Sequence, residues 1–247
     1  QGEMAGQSTG IDAIDIHTGG MRPSELWVVG AKTSGGKSIL MLQMAAKMIE
    51  QGKKVVIFSL ELGVEEVYAR VLSTLKHISM AELMNPKTMT KGTLTKIQSA
   101  VTTLRDQNFA ICDMGGLTMD QITAHCIRLS ETSGLDLVII DYLQMVTAQR
   151  IKGQNREQEV AGISRQCKQL AKRLKCPVLT ATQLNEAGQS RESRSIEHDA
   201  DNVLMIDHWS KNDQEGTTET FWKCRNGERG KSFNAKMNGE FQKFTFI

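Results

Sequence analysis

The sequence predicts an α/β fold: a mostly parallel central sheet flanked by helices, continued at the C-terminus by an antiparallel meander. Three observations carry this. Short runs rich in Val, Ile and Leu alternate with stretches of helical periodicity, the pattern of parallel strands buried on both faces. The first such run enters a glycine-rich turn and then a helix, in Val28-Val29-Gly30-Ala31-Lys32-Thr33-Ser34-Gly35-Gly36-Lys37-Ser38. From Thr217 onward the pattern changes to three strand-like runs separated by Asn226-Gly227 and Asn238-Gly239, dipeptides that favour hairpins.

The elements follow in order. Thr9 to Gly20 is expected to be a short lead-in helix packing through Ile11, Ile14 and Ile16, then a Gly-Gly turn, with Pro23 ahead of the first core strand, Leu26 to Val29. Ile39 to Ile49 is apolar almost all round, which predicts a buried helix stopped by Gly52. Lys54 to Leu60 is a central strand ending at Glu61. Helical stretches are expected from Val64 to His77, with Val67, Val71 and Leu75 on one stripe, from Met80 to Met84, and from Leu94 to Leu104 with Ile97 and Val101. Phe109 to Cys112 is a strand, Thr118 to Ser130 a helix, and Leu135 to Ile140 a buried strand ending at Asp141. After the polar, basic loop Gln149 to Asn155, a helix from Arg156 to Leu174 places Val160, Ile163, Cys167, Leu170 and Leu174 at steps of three and four. Pro177 to Thr182 is a strand ending at Gln183, Asn185 to Ser195 a mobile loop, and Val203 to Ile206 a further strand. The meander takes Thr217 to Arg225, Lys231 to Met237 and Glu240 to Phe246.

Composition narrows the classes. The 247 residues suffice for one large α/β domain or two small ones, and 40% hydrophobic with 23% charged residues is the balance of a soluble globular chain. A net charge of +2 gives no global basic field, so any nucleic-acid site must be local. No apolar run approaches the roughly 20 residues of a membrane span, and Gln1 to Gly10 has no signal-peptide pattern, so no membrane association is expected. The first residue is Gln1, as in a fragment of a longer chain. Five cysteines without a C-x-x-C pair fit a reducing cytoplasm, and the five histidines show no metal-ligand spacing.

Strand, glycine-rich turn, lysine, serine and helix in that order form a phosphate-binding P-loop. Small residues let backbone N–H groups curl around an anion at the positive end of the new helix. The expected cradle is Gly30, Ala31, Lys32, Thr33, Ser34, Gly35, Gly36, Lys37, Ser38 and Ile39, with Lys37 on the β- and γ-phosphates of ATP or another nucleoside triphosphate and Ser38 on Mg²⁺. Ala31 stands where the usual motif has glycine, but alanine is nearly as small. Ligands of parallel sheets bind at the carboxyl ends of the strands. There Asp141 would hold the Mg²⁺ shell, Glu61 would act as general base toward water, and Gln183 would sense the γ-phosphate. A carboxylate at a strand end is often no more than a cap; several at one edge with a P-loop make a hydrolysis site. Lys223 and Arg225 lie two apart on a predicted strand beside a turn, where two cations can either protect an edge or reach a neighbouring subunit's phosphates.

From Ser8 to the C-terminus the chain resembles the C-terminal RecA-like motor domain of DnaB-type replicative DNA helicases. The segments that carry the resemblance are STGIDAID, GAKTSGGKS, VVIFSLE with EEVYARVLS, LVIIDYLQMV, QNREQEVAGISRQCKQLAKRLKCPVLTATQLN, SRESRSIEHDAD and KCRNGERG. It implies a single RecA-like P-loop NTPase domain over residues 1–247, with 1–20 as the lead-in segment and the family's N-terminal collar domain absent. It assigns Lys37, Ser38, Glu61, Asp141 and Gln183 the roles already given, with Ala31 in the family's usual form. Lys223 and Arg225 resemble a finger pair acting in a neighbouring subunit's site, and Arg70 an arginine lying against the nucleobase. Arg191, Glu192 and Arg194 fall on the family's DNA-contacting loop, and Arg150, Lys152 and Arg156 on a second pore loop. Two departures stand out: Asn185 to Ser195 is shorter than is usual in the family, and Arg194 replaces a common glycine.

The activity implied is an ATP-driven motor that translocates on single-stranded DNA and unwinds duplex as a homo-oligomer, a hexameric ring with ATP sites between subunits. Further family partners are a helicase loader and primase, in a bacterial cytoplasm or, for a phage protein, that of the host. Aromatic content of 5%, with no aromatic residue in the two loops, points to grip by backbone electrostatics instead of base stacking. Two other readings remain at this point: a recombinase that forms ATP-regulated filaments on DNA, and a non-motor ATPase that loads or regulates a helicase.

Overall fold

The computed structural model describes residues 4–106, 109–147, 155–184, 193–211 and 214–247. One nine-stranded sheet organises them, in the order β3-β2-β4-β5-β1-β6-β7-β8-β9. The strands are β1 (Leu26–Ala31), β2 (Val55–Ser59), β3 (Phe109–Cys112), β4 (Leu137–Asp141), β5 (Val178–Gln183), β6 (Asn202–Lys211), β7 (Gln214–Cys224), β8 (Ser232–Asn238) and β9 (Lys243–Phe246). The first six pair in parallel, and β7 to β9 are added antiparallel. The helices are α1 (Asp12–Thr18), α2 (Lys37–Glu50), α3 (Val64–Lys76), α4 (Met80–Met84), α5 (Lys91–Asp106), α6 (Met119–Thr132), α7 (Arg156–Leu174) and α8 (Ser193–Asp199).

Strand periodicity divides the core into two layers. Trp27, Val29 and Ala31 face the layer built from α1, α2, α3 and the meander, whereas Leu26 and Val28 face the layer of α6, α7 and α8. Helix α2 is buried nearly all round, as its composition predicts, because it lies between the sheet, α3 and β9. Capping fixes α6 and α7: Thr118 with Gln121, and Asn155 with Gln158, each form a reciprocal capping box.

Several expectations are corrected. Helix α1 is shorter than Thr9 to Gly20, and its buried face is Ile11, Ile14, Asp15 and Thr18; Ile16 is 86% exposed on the opposite side. Among the described side chains of α5 the buried ones are Thr93, Ala100 and Leu104, while Leu94 and Val101 are exposed. Strand β6 runs on to Lys211 because β7 pairs with it throughout. Ser193 to Ser195 belong to α8 and not to a loop; residues 185–192 lie outside the described residues. The turns of the meander are longer than the expected strand bounds leave. β7 and β8 are joined by residues 225–231, and β8 and β9 by residues 239–242.

Candidate functional site

Four adjacent strands, β2, β4, β5 and β1, end at one edge of the sheet. From them the phosphate loop, Glu61 and Gln183 converge on a cleft of about 320 Å³, lined also by Leu62, Arg70 and Gln242. Asp141 lies beneath it, at the end of β4.

The loop's shape follows from its residues. Gly35 N–H donates to the Lys32 carbonyl (3.0 Å), which closes the turn. Gly36 then takes φ +85°, and a Cβ there would come within 2.6 Å of the Phe244 ring. Glycine is required on both counts. Helix α2 starts at the next residue, so the N–H groups of its first turn open toward the cleft. Lys37 is buried, with its ammonium 3.3 Å from the Lys32 carbonyl. Burial lowers its pKa, against the pull of Asp141 and Glu61. Gln183 donates to the Thr33 hydroxyl (2.7 Å), tying the end of β5 to the loop.

Asp141 is 4% exposed, and its Oδ1 is buried without a hydrogen-bond partner among the described residues. Burial raises its pKa, with Glu61 adding to the rise; the neighbouring Ser38 hydroxyl, Lys37 and Arg70 oppose it. An orphaned carboxylate oxygen beside a hydroxyl is a hard-oxygen donor set, which fits Mg²⁺ with its remaining ligands from phosphate and water. Ser38 and Asp141 are therefore the residues able to hold the ion.

Arg70 reaches the cleft from α3, held by Glu66 through Nε (3.1 Å) and NH2 (2.6 Å) to the same oxygen. Two contributors escape sequence reasoning. Gln242, in the turn before β9, lines the cleft from a segment with no motif. His208, on β6, shares a hydrogen bond with the Gly35 carbonyl (3.1 Å), while its other ring nitrogen meets the Thr217 hydroxyl (3.2 Å). It braces the loop from the side opposite Gln183.

Lys223 and Arg225 are not brought to this cleft. Asn202 lies opposite both Cys224 and Trp27, so they sit at the other end of β1 from the loop. Four residue steps at about 3.3 Å each separate Trp27 from Ala31, roughly 13 Å before the loop begins. There Lys223 donates to the Glu197 carbonyl (2.6 Å) and Arg225 pairs with Asp201 (2.5 Å). Of the expected DNA contacts, Arg156 opens α7, pairs with Glu159 (3.0 Å) and donates to the Gln144 carbonyl (2.5 Å). Arg150, Lys152, Arg191 and Glu192 lie outside the described residues, as does the side chain of Arg194.

Fold and cleft together define a P-loop nucleotide-binding protein of RecA-like architecture. Among solved structures, an isolated ATPase domain superposes with a TM-score of 0.89 at 22% identity, covering 100% of this chain and 93% of that one. A DnaB-like replicative helicase, studied with its primase interactions, gives 0.88 at 22% identity over 99% of this chain and 62% of the other. A KaiC-like protein of Pyrococcus horikoshii gives 0.70 at 15% identity, covering 98% of each chain. At these identities the likeness shows the fold. The DnaB-like helicase C-terminal domain model matches residues 6–246. The replicative DNA helicase DnaB of Pasteurella multocida is 32% identical, covering 98% of this chain and 55% of that protein. DnaB of Leifsonia xyli is 36% identical over 83% of this chain and 47% of that protein. The chain belongs to the DnaB-like helicase C-terminal domain family. It spans about half the length of the curated relatives it matches.

Proposed function

We propose that this chain is the ATP-hydrolysing motor of a replicative DNA helicase, translocating on single-stranded DNA and unwinding duplex as a hexameric ring. The observation that carries the reading is the convergence of the phosphate loop, Glu61, Asp141 and Gln183 at the ends of four adjacent strands, in a chain of this family.

The β- and γ-phosphates of ATP lie against the N–H groups at the start of α2, with the Lys37 ammonium between them. Ser38 and Asp141 would hold Mg²⁺, which when bound would supply charge neutralisation on the phosphate oxygens. Glu61 orients the attacking water and accepts its proton. Arg70 flanks the base. Gln183 and Thr33 register the γ-phosphate and pass its loss from the end of β5 to residues 185–195, which follow it. Those residues, with Arg191, Glu192 and Arg194, follow the DNA backbone; Arg150, Lys152 and Arg156 form a second contact. Lys223 and Arg225, facing away from their own cleft, complete the cleft of a neighbouring copy. One relative's structure was studied with its primase interactions, and primase and a loader are the partners proposed for the full-length protein in the cytoplasm. Among the described residues no helix is long and apolar enough to cross a membrane.

The test is unwinding of forked DNA with ATP by the wild-type chain and by Lys37→Ala. The substitution is expected to abolish both DNA-stimulated hydrolysis and unwinding. Wild-type hydrolysis in Lys37→Ala would remove the phosphate-loop assignment, and hydrolysis without unwinding in the wild-type ring would favour a loader or regulator.

A further inference from the structure

The turn that follows β7 is fastened to the sheet by a buried polar network. Asp201 accepts from the Arg225 guanidinium on Oδ1 (2.5 Å), and from the Leu26 N–H (2.8 Å) and the Lys168 ammonium (2.5 Å) on Oδ2. Its neighbour Asn202 accepts from the Arg225 N–H (3.2 Å) and donates to Glu25 (3.3 Å). Glu25 takes the Asn226 amide on Oε1 (2.8 Å), and the Trp27 indole N–H (2.8 Å) and the Arg22 N–H (3.1 Å) on Oε2. Asp201 and Glu25 are 4% and 5% exposed, so both acceptors work in low dielectric, where each bond is strong and each loss costly. Burial raises the Asp201 pKa, but the bonds from Lys168, Leu26 and Arg225 outweigh it and hold the carboxyl below its usual range.

Packing adds a third fastening. A Cβ at Gly227 would meet the His17 carbonyl at 2.6 Å, so the turn lies directly on the end of α1. The His17 ring also contacts the Glu228 carbonyl (2.9 Å). Arg225 itself remains 64% exposed, although its backbone and one end of its fork are fixed. An arginine carries five donors, and the Asp201 contact leaves the rest of the fork turned outward.

We propose that Asp201 and Glu25 are positioning residues that lock the Arg225-bearing turn to the first residues of β1. They aim the guanidinium at a phosphate held by a neighbouring copy. This rests on the reading of Arg225 as acting across a subunit boundary. The two carboxylates also hold the start of the strand whose far end is the chain's own phosphate loop. The finger and the loop of one copy are thereby the two ends of one rigid strand. Cleft changes that shift β1 shift the finger with it.

The experiment is complementation in mixed oligomers of the full chain, read as DNA-stimulated hydrolysis. Asp201→Asn, Asn226→Ala and Arg225→Ala are each mixed with Lys37→Ala, which has a disabled cleft and an intact finger. Alone, Asp201→Asn is expected to lose at least tenfold in rate and Asn226→Ala several-fold. Mixing with Lys37→Ala is expected to raise the rate per variant subunit several-fold in each case, because an intact cleft then meets an intact finger. A purely structural role would give no such rescue. If Arg225→Ala is not complemented, the across-boundary reading falls, and this proposal with it. If Arg225→Ala is complemented while Asp201→Asn and Asn226→Ala are not, the positioning proposal alone is overturned. Asn226→Ala removes one contact at an exposed turn and so keeps the test decisive if Asp201→Asn does not fold. Wild-type hydrolysis by Asn226→Ala alone would remove Glu25 from the proposal.

Discussion

Glu219 offers a quantitative test of the core beside the cleft. It lies on β7 between Ile206 and Phe233, fully buried, and neither carboxylate oxygen has a hydrogen-bond partner among the described residues. Burial pushes its pKa up to about 8 from an ordinary 4.5. Below pH 4.5 the group is protonated in both folded and unfolded chains, and no stability is lost. Between 4.5 and about 8 the unfolded chain releases a proton that the folded chain retains, so stability falls as pH rises; above 8 the loss levels off. The slope is about 1.4 kcal/mol per pH unit, which gives about 3 kcal/mol between pH 5.5 and 8. Glu219→Gln keeps the shape and cannot ionise. Urea denaturation of both proteins across that range, with the slope of the transition checked for constancy, should show the variant's advantage growing by about 3 kcal/mol. Parallel stability curves would refute the buried neutral carboxyl.

Gly36→Ala forces a left-handed backbone on a residue with a Cβ and drives that Cβ into Phe244. The strain alone is about 1–2 kcal/mol, so the free energy of unfolding measured in urea should fall by at least that much; unchanged stability would mean that the loop takes another backbone path. Replacing Arg191 and Arg194 together by Ala should flatten the dependence of log affinity for single-stranded DNA on log salt by about one to two units. An unchanged slope would place the DNA elsewhere.

The regular interior of the fold was legible in the sequence because burial on both faces leaves a plain signature. Val55–Ser59, Leu137–Asp141 and the apolar α2 lie in the apolar runs that composition marks out, while the half-buried edge strand Phe109–Cys112 and the one-sided helix Arg156–Leu174 lie where strand composition and helical periodicity place them. The two misread helix faces share one cause: a large apolar residue was placed on the buried side by its size alone. In α5 the face toward the core is set by Thr93, Ala100 and Leu104, at steps of seven and four, and the bulkier Leu94 and Val101 are turned away from it. Ile16 fails for the same reason, since Ile11, Ile14, Asp15 and Thr18 already define the buried side of α1. The length of β6 is set by its partner β7 and not by its own hydrophobicity, so Asp207 and His208 concealed it, and with it the brace on Gly35. The chemistry at the strand ends was legible because motif spacing carries it; Gln242 was not, because a turn residue reaches the cleft only through the fold.

On the proposed function, the register accounts for each chain holding half a site. Phosphoryl transfer spreads negative charge over three equatorial oxygens, and the protein must meet that charge with fixed cations and donors. Among the described residues lining the cleft, the cations are Lys37 and Arg70, and Arg70 is already paired with Glu66. Lys37 is left to act with the N–H groups at the start of α2, while Glu61 and Asp141 bring negative charge to the same place. Lys223 and Arg225 stand at the opposite end of β1. A sheet cannot bend them back across its own length; in the proposed ring, stacking one copy's far end on the next copy's loop would bring the two together at every boundary. On this reading a closed ring is the arrangement in which no loop lacks a finger and no finger lacks a loop. Hydrolysis by an isolated chain should accordingly be far slower than by the assembly, because its cleft lacks those cations.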